Sequence, residues 1–381
     1  MKNFLPEQYK NNNRLKINHN YLREQFSDYQ LIFKELEKVI IEGDFTLGEE
    51  VDKLEDEFSE LHHTSNSIAV GSGTDAIMLS LKACGIEKGD EVITTPFTFF
   101  ATIGAIVTAG GKPVFVDVNE DMNINPAEIE EKITKKTKAI VPVHWTGRPC
   151  DMTKIDEIAE RHGLSVVCDA CHAINAKYKE KTAGELGNLA CFSFHPLKNL
   201  NIWGDGGIIT TNDENLANKI RLLRNHGLVD RNKCELFGYN SRLDTIQAVV
   251  ARHMMNKIDH ITQTRISNSN YLDKELKSVG EITIPKRDRS IKEVFHLYMI
   301  TCEQRDFLQK YLISRDIDAK VHYPIPMHLQ PAARSLGYKL GDFPRTEKFA
   351  KSIISLPVHE FIGKEELDKI VREVKSFYKN N

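Results

Sequence analysis

Four short stretches carry residue types that could do chemistry together. Lys198 stands in Ser193-Phe194-His195-Pro196-Leu197-Lys198-Asn199, after one apolar run and before Gly204-Asp205-Gly206-Gly207. A lysine in a loop between apolar strands serves packing poorly. It serves as a nucleophile if burial and a cationic neighbour lower its pKa. Asp169 follows the apolar run Leu164–Cys168. Ligands of open parallel sheets bind beyond the carboxyl ends of the strands, and a carboxylate there can pair with a protonated pyridine nitrogen. Gly71-Ser72-Gly73-Thr74-Asp75 joins a strand to a helix; small residues and the free N–H groups of a helix start favour phosphate. Thr98-Phe99-Phe100 follows the strand ending at Thr95-Pro96 and offers a ring to stack on a flat ligand. Taken singly, each has a plainer reading: a capped βα turn, an Asp that caps a turn, a surface lysine among 51 Lys and Arg, a core aromatic.

The elements around these stretches alternate. Ser67–Val70, Glu91–Thr95, Pro113–Asp117, Ala139–Val143, Ser165–Asp169, Ala190–Phe194 and Gly207–Thr211 read as short apolar strands. Helical patterns such as Thr74–Cys84, Ile155–His162 and Glu214–Arg224 lie between them. That alternation predicts an α/β domain with a large, mostly parallel sheet. Ahead of it, 29–62 is helical with an interruption at Asp44–Gly48. The texture changes after Asn240. A stretch without Pro or Gly from Thr245 to Leu276 reads as one long hinge helix. A strand at Phe295–Cys302, a helix at Arg305–Arg315, a Pro- and His-rich loop at 322–330 and a last helix at Lys364–Tyr378 follow. The expected division is a large domain over residues 1–244 and a smaller α+β domain over 245–381.

With 381 residues, 41% hydrophobic and 28% charged, the chain can bury a substantial core without metal or disulfide staples. A net charge of −3 gives no electrostatic footprint for nucleic acid and no polybasic membrane patch. Seven cysteines without framework spacing argue for a reducing compartment. Cys168-Asp-Ala-Cys171 lacks a second pair at zinc spacing, so no metal site is expected. The first thirteen residues lack the apolar region of a signal peptide, and no apolar run is long enough to span a membrane. A cytoplasmic protein is the expectation.

The ordered set Gly-Ser-Gly-Thr, Pro-Phe-Thr-Phe, Asp-Ala-Cys-His-Ala, Ser-Phe-His-Pro-Leu-Lys-Asn, Gly-Asp-Gly-Gly and Gly-Tyr-Asn-Ser-Arg-Leu-Asp, running from about Phe45 to Phe377, is similar to the DegT/DnrJ/EryC1/StrS family of sugar aminotransferases. The resemblance implies a fold-type I, aspartate-aminotransferase-like enzyme that uses pyridoxal 5′-phosphate. It implies that Lys198 forms the Schiff base, Asp169 faces the ring nitrogen, His172 lies against the ring or its hydroxyl and Phe99 stacks on it. Gly73, Thr74 and Ser193 would hold the phosphate, joined by Asn240 from the neighbouring subunit of a homodimer with shared sites. L-Glutamate would give its amino group to a keto-sugar used in bacterial surface glycans, with His322 and His328 near the sugar.

Departures from the family pattern bear on the substrate. His195 replaces a common tyrosine, His144-Trp145-Thr146-Gly147-Arg148 replaces a His-Leu-Tyr-Gly-Gln, and Asn201-Ile202-Trp203 is unusual. Trp145, Arg148 and Trp203 are therefore candidate substrate contacts, and an arginine suits an acidic sugar's carboxylate. The substrate is accordingly an eight-carbon octulosonate or a nucleotide-linked keto-deoxyhexose. A sugar dehydratase, a cysteine desulfurase and a non-catalytic regulatory relative are the other readings. Dehydratases of this family carry histidine where Lys198 stands, no cysteine lies in a recognisable desulfurase loop, and no flanking DNA-binding segment is expected.

Overall fold

The computed structural model describes residues 15–19 and 21–379; the segment read for a signal peptide lies outside them. Seven strands form the main sheet: β1 (Asn66–Val70), β2 (Glu91–Thr94), β3 (Lys112–Phe115), β4 (Thr137–Ile140), β5 (Ser165–Asp169), β6 (Leu189–Ser193) and β7 (Gly207–Thr211), in the order β1-β7-β6-β5-β4-β2-β3. All are parallel except β7, which runs against both its neighbours. β1 and β7 are buried along their whole length, as expected of strands covered on both faces. β3 is an edge strand, where Pro113 costs no ladder bond.

Two apolar clusters cover the two faces. One gathers Phe58, Ile93, Ile140, Phe192 and Ile208 with the helices Tyr29–Glu42 and Glu49–His62. The other gathers Val70, Leu79, Val141 and Ile209 with Gly73–Ala83. A second sheet, β8 (Ile282–Thr283), β9 (Tyr298–Cys302) and β10 (Ile353–Leu356), is antiparallel and packs on Arg305–Ser314 and Lys364–Lys379.

The predicted hinge helix is two helices, Thr245–Met255 and Ile258–Leu276. No Gly or Pro marks the break at Asn256–Lys257. Tertiary contacts sit there instead: Lys257 and His253 both reach the Asp28 carboxylate, at 2.8 and 3.0 Å. Nor do the side chains change cores at residue 245. Ala248, Met254 and Ile261 pack in the large core, whereas Leu272 and Leu276 pack in the small one, which also takes in Ile17 from near the chain start. The pattern also hid the helix Pro344–Ser352 and β10 behind it. Among the described residues, no helix is long and apolar enough to cross a membrane.

Candidate active site

One cavity of about 930 Å³ opens beyond the carboxyl ends of β2, β4 and β5, between the main sheet and the smaller one. That volume suits a cofactor together with a substrate. Gly73, Thr74, Phe99, Trp145, Asp169, His172, Ser193, Lys198 and His322 all line it.

The anion cradle follows from local packing. Ser72 caps the helix Gly73–Ala83, its hydroxyl accepting from the Asp75 N–H at 3.0 Å. A Cβ on Gly73 would lie 2.6 Å from the Ser193 Cβ, and one on Gly207 would lie 2.5 Å from the Ser72 carbonyl oxygen. Only glycine lets β6, β7 and this helix start approach so closely. The first N–H groups of the helix and the Ser193 hydroxyl then border one hollow, with the positive end of the helix dipole behind it.

Asp169 ends β5 and is buried. Its Oδ2 accepts from the Thr102 hydroxyl at 2.7 Å, and Thr98 and Thr102 share a further 2.7 Å bond. Its Oδ1 accepts from the Cys171 N–H at 3.1 Å. These donors hold the carboxylate in one orientation, and it forms no ion pair among the described residues, which leaves it open to a cationic ring nitrogen. The Lys198 side-chain amine makes no hydrogen bond or ion pair among the described residues; its backbone N–H donates to the His195 carbonyl at 2.8 Å. Burial pushes its pKa down, with Cys171 and Asp169 pulling the other way. Burial also holds the Cys171 thiol protonated, well above its usual range, so Asp169 is the anion that counts. Beside them His172 lies between Trp145 and His296, with ring centroids 5.0 and 4.2 Å away. Burial, reinforced by Lys198, drives its pKa well below the ordinary value, and its buried Nδ1 has no partner among the described residues. A flat, phosphorylated, cationic heterocycle fits these groups: an empty-handed amine, a fixed carboxylate, an orphaned imidazole nitrogen and an anion cradle.

Four expected site residues do not line the cavity. Arg148 is buried one turn past Trp145, 3.6 Å from both Glu293 and Asp121, and donates to the Lys286 carbonyl at 2.9 Å. A sugar carboxylate would have to displace those partners. His328 is buried against Phe343 and Glu347, with 3.1 Å to the Glu347 Oε1. Trp203 faces outward, edge-on to Phe26 and Phe33. Asn240 is exposed and accepts from the Arg242 Nε at 3.0 Å. Conversely, His19, Thr102, His296, Lys320, Tyr323 and His359 line the cavity without having been singled out as site residues. Thr102 sits four residues beyond Thr98, one helical turn on, which is a signal the sequence did hold. His19 and His296 had none.

The fold and the lysine–carboxylate pair define a pyridoxal-phosphate-dependent transferase of fold type I. The profile of the DegT/DnrJ/EryC1/StrS aminotransferase family matches residues 27–375, and the chain belongs to that family. It is 44% identical over 352 residues to a pleiotropic regulatory protein of Geobacillus stearothermophilus, covering 92% of this chain and 95% of the relative. It is 35% identical over 364 residues to the dTDP-3-amino-3,4,6-trideoxy-alpha-D-glucose transaminase of Streptomyces venezuelae, covering 93% and 96%. It superposes on the crystal structure of NtdA from Bacillus subtilis with bound cofactor PMP at a TM-score of 0.89 and 31% identity, covering 98% of this chain and 87% of that one.

Proposed function

We propose that this chain is an aminotransferase that moves the amino group of L-glutamate onto the ketone of a nucleotide-linked 3-keto-deoxyhexose, working as a homodimer. The observation that carries it is the partnerless amine of Lys198 in the same cavity as the fixed Asp169 carboxylate and the Gly73 cradle. The Streptomyces venezuelae relative supports the choice of a 3-keto sugar. Arg148, engaged with Glu293 and Asp121, leaves no free cation there to favour an octulosonate.

Pyridoxal phosphate supplies an aldehyde that takes up the amino group and an electron-poor ring that accepts the electron pair when a carbon–hydrogen bond breaks. The protein supplies the rest. Gly73, Thr74 and Ser193 would hold the phosphate, and Phe99 would stack on the ring. Asp169 would pair with the ring nitrogen and favour its protonated form. Lys198 removes the donor's Cα proton and returns a proton to the sugar carbon in the second half of the cycle. Burial lowers the pKa of Lys198, which favours the free amine that both steps need. Position 198 itself is lysine, not the histidine that the dehydratase reading puts there.

Two outer features support the dimer. The segment ending at Asn240 carries Phe237, which is 99% exposed. The helix Tyr29–Glu42 presents Leu31, Phe33, Ile40 and Ile41 to solvent beside Trp203. A second copy covering these faces would bring its Asn240 toward the phosphate.

The test is a screen of nucleotide-linked keto-sugars against the pyridoxamine form, read by loss of its absorbance. A 3-keto-deoxyhexose should discharge it fastest. Discharge by an octulosonate alone would reassign the substrate, and discharge by no keto-sugar would reject the reading.

A further inference from the structure

The outer wall of the cavity is built partly by Leu15, Asn18, His19, Tyr21 and Leu22, far from every motif that carries the chemistry. These residues and Ile17 are pinned at several points. Ile17 bridges Ile317 in parallel, its N–H donating to the Asp316 carbonyl at 3.0 Å while the Asp318 N–H donates to its own carbonyl at 2.8 Å. His359 donates through Nε2 to the Asn18 carbonyl at 2.8 Å, and Tyr21 stacks on His359 at 4.3 Å. Beyond it, Gln25 accepts from Asn201 at 2.7 Å, and Asn201 also donates to Pro196 in the Lys198 loop at 2.6 Å. The segment is thus a fixed wall joining the small sheet to that loop.

His19 is the polar side chain this wall presents beside His322, with ring centroids 6.1 Å apart. Its Nδ1 lies 2.6 Å from the Asp318 carbonyl oxygen, which can only accept. Nδ1 therefore carries the proton, and Nε2 is left as a lone-pair acceptor with no partner among the described residues. Burial lowers the pKa of His19, with Asp318 opposing, which favours the neutral ring. His296 is fixed in the same sense: its Nδ1 faces the Asn199 Oδ1 at 3.3 Å, and that amide's nitrogen already donates to the Val294 carbonyl. The cations of this lobe are all engaged: Lys320 with Asp318 at 2.8 Å, Arg305 with Asp306 at 2.6 Å, Arg265 with Glu360 at 3.7 Å. A lobe of neutral acceptors and paired charges suits hydroxyl groups better than a carboxylate or phosphate.

We infer that His19 is a specificity residue, whose Nε2 accepts a hydrogen bond from a hydroxyl of the sugar ring. The inference rests on the keto-sugar reading and deepens it: this lobe takes the uncharged, hydroxylated ring. The test compares His19→Leu, His19→Gln and wild-type holoenzyme in the two half-reactions, with calorimetric titration of the amino-sugar product. In His19→Leu, KM for the keto-sugar and Kd for the product should rise about tenfold, the order of one lost hydrogen bond. The half-reaction with L-glutamate should not change. His19→Gln, which keeps an acceptor, should recover most of the affinity and also serves if the leucine variant folds poorly. Equal losses in both half-reactions, or unchanged sugar affinity in His19→Leu, would overturn the role of His19 alone. A wild-type enzyme that neither binds nor aminates any keto-sugar would overturn the functional reading and this inference with it.

Discussion

The floor and the outer wall of the cavity are built in opposite ways. The floor is made of strand ends and a helix start: Gly73 opening its helix, Asp169 closing β5, Ser193 closing β6, Lys198 in the next loop. Each lies in a short contiguous motif, because a strand end must place its side chain within a few residues of where the sheet stops. The wall is assembled from positions near 19, 296, 322 and 359, brought together by the small sheet and the chain start. The reaction needs one fixed geometry, so its groups sit on rigid elements. Selectivity needs a shape, which segments remote in sequence can supply.

That difference explains what the sequence disclosed. The α/β class and the strand pattern were legible because alternating apolar runs of strand length admit few arrangements; Ser165–Asp169 and Gly207–Thr211 fall where the pattern puts them. The reversed direction of β7 was not legible, since burial on both faces looks the same in either direction. The break at Asn256–Lys257 is tertiary, made by Asp28 more than two hundred residues away. Within the site, Trp145 and Arg148 were paired as candidates from one unusual motif. The structure separates them: a 3-10 turn leaves Trp145 on the cavity side and turns Arg148 toward Glu293. His328 and Trp203 stood in motifs as suggestive as that of His322, and only the packing of Phe343 and Phe33 distinguishes them.

Three substitutions would break or sharpen the contrast, in decreasing order of effect. Asp169→Asn keeps the size of the floor group but removes its charge, and kcat should fall about 10²–10³-fold, as for other preorganised electrostatic groups. Stopped-flow rates for both half-reactions check it; a loss confined to the sugar half would move Asp169 from the floor to the wall. Arg148→Met should act on stability alone, costing about 1–3 kcal/mol through the stranded partners of the guanidinium, with KM for the sugar unchanged. A raised KM at unaltered Tm would return Arg148 to the substrate site.

The smallest effect concerns pH and the wall. Burial, with Arg265 beside it, lowers the His359 pKa to about 3, against about 6.5 in an unfolded chain. Between those values the unfolded chain binds the proton and the folded chain does not. The stabilisation from keeping His359 neutral is therefore complete above about pH 6.5 and is lost as the pH falls toward 3. The Tm difference between wild type and His359→Gln should accordingly be larger at pH 7.5 than at pH 5. A difference that grows on acidification would mean that His359 is protonated in the folded wall.

The central claim is that the amine of Lys198 and the carboxylate of Asp169 act on one bound cofactor. Its most direct test is the absorbance of purified Lys198→Ala reconstituted with pyridoxal phosphate. The variant should still bind the cofactor through the Gly73 cradle, yet lack the absorbance of a lysine-bound aldehyde and fail to transaminate. Retained lysine-type absorbance with turnover would place the reactive amine elsewhere and contradict the account.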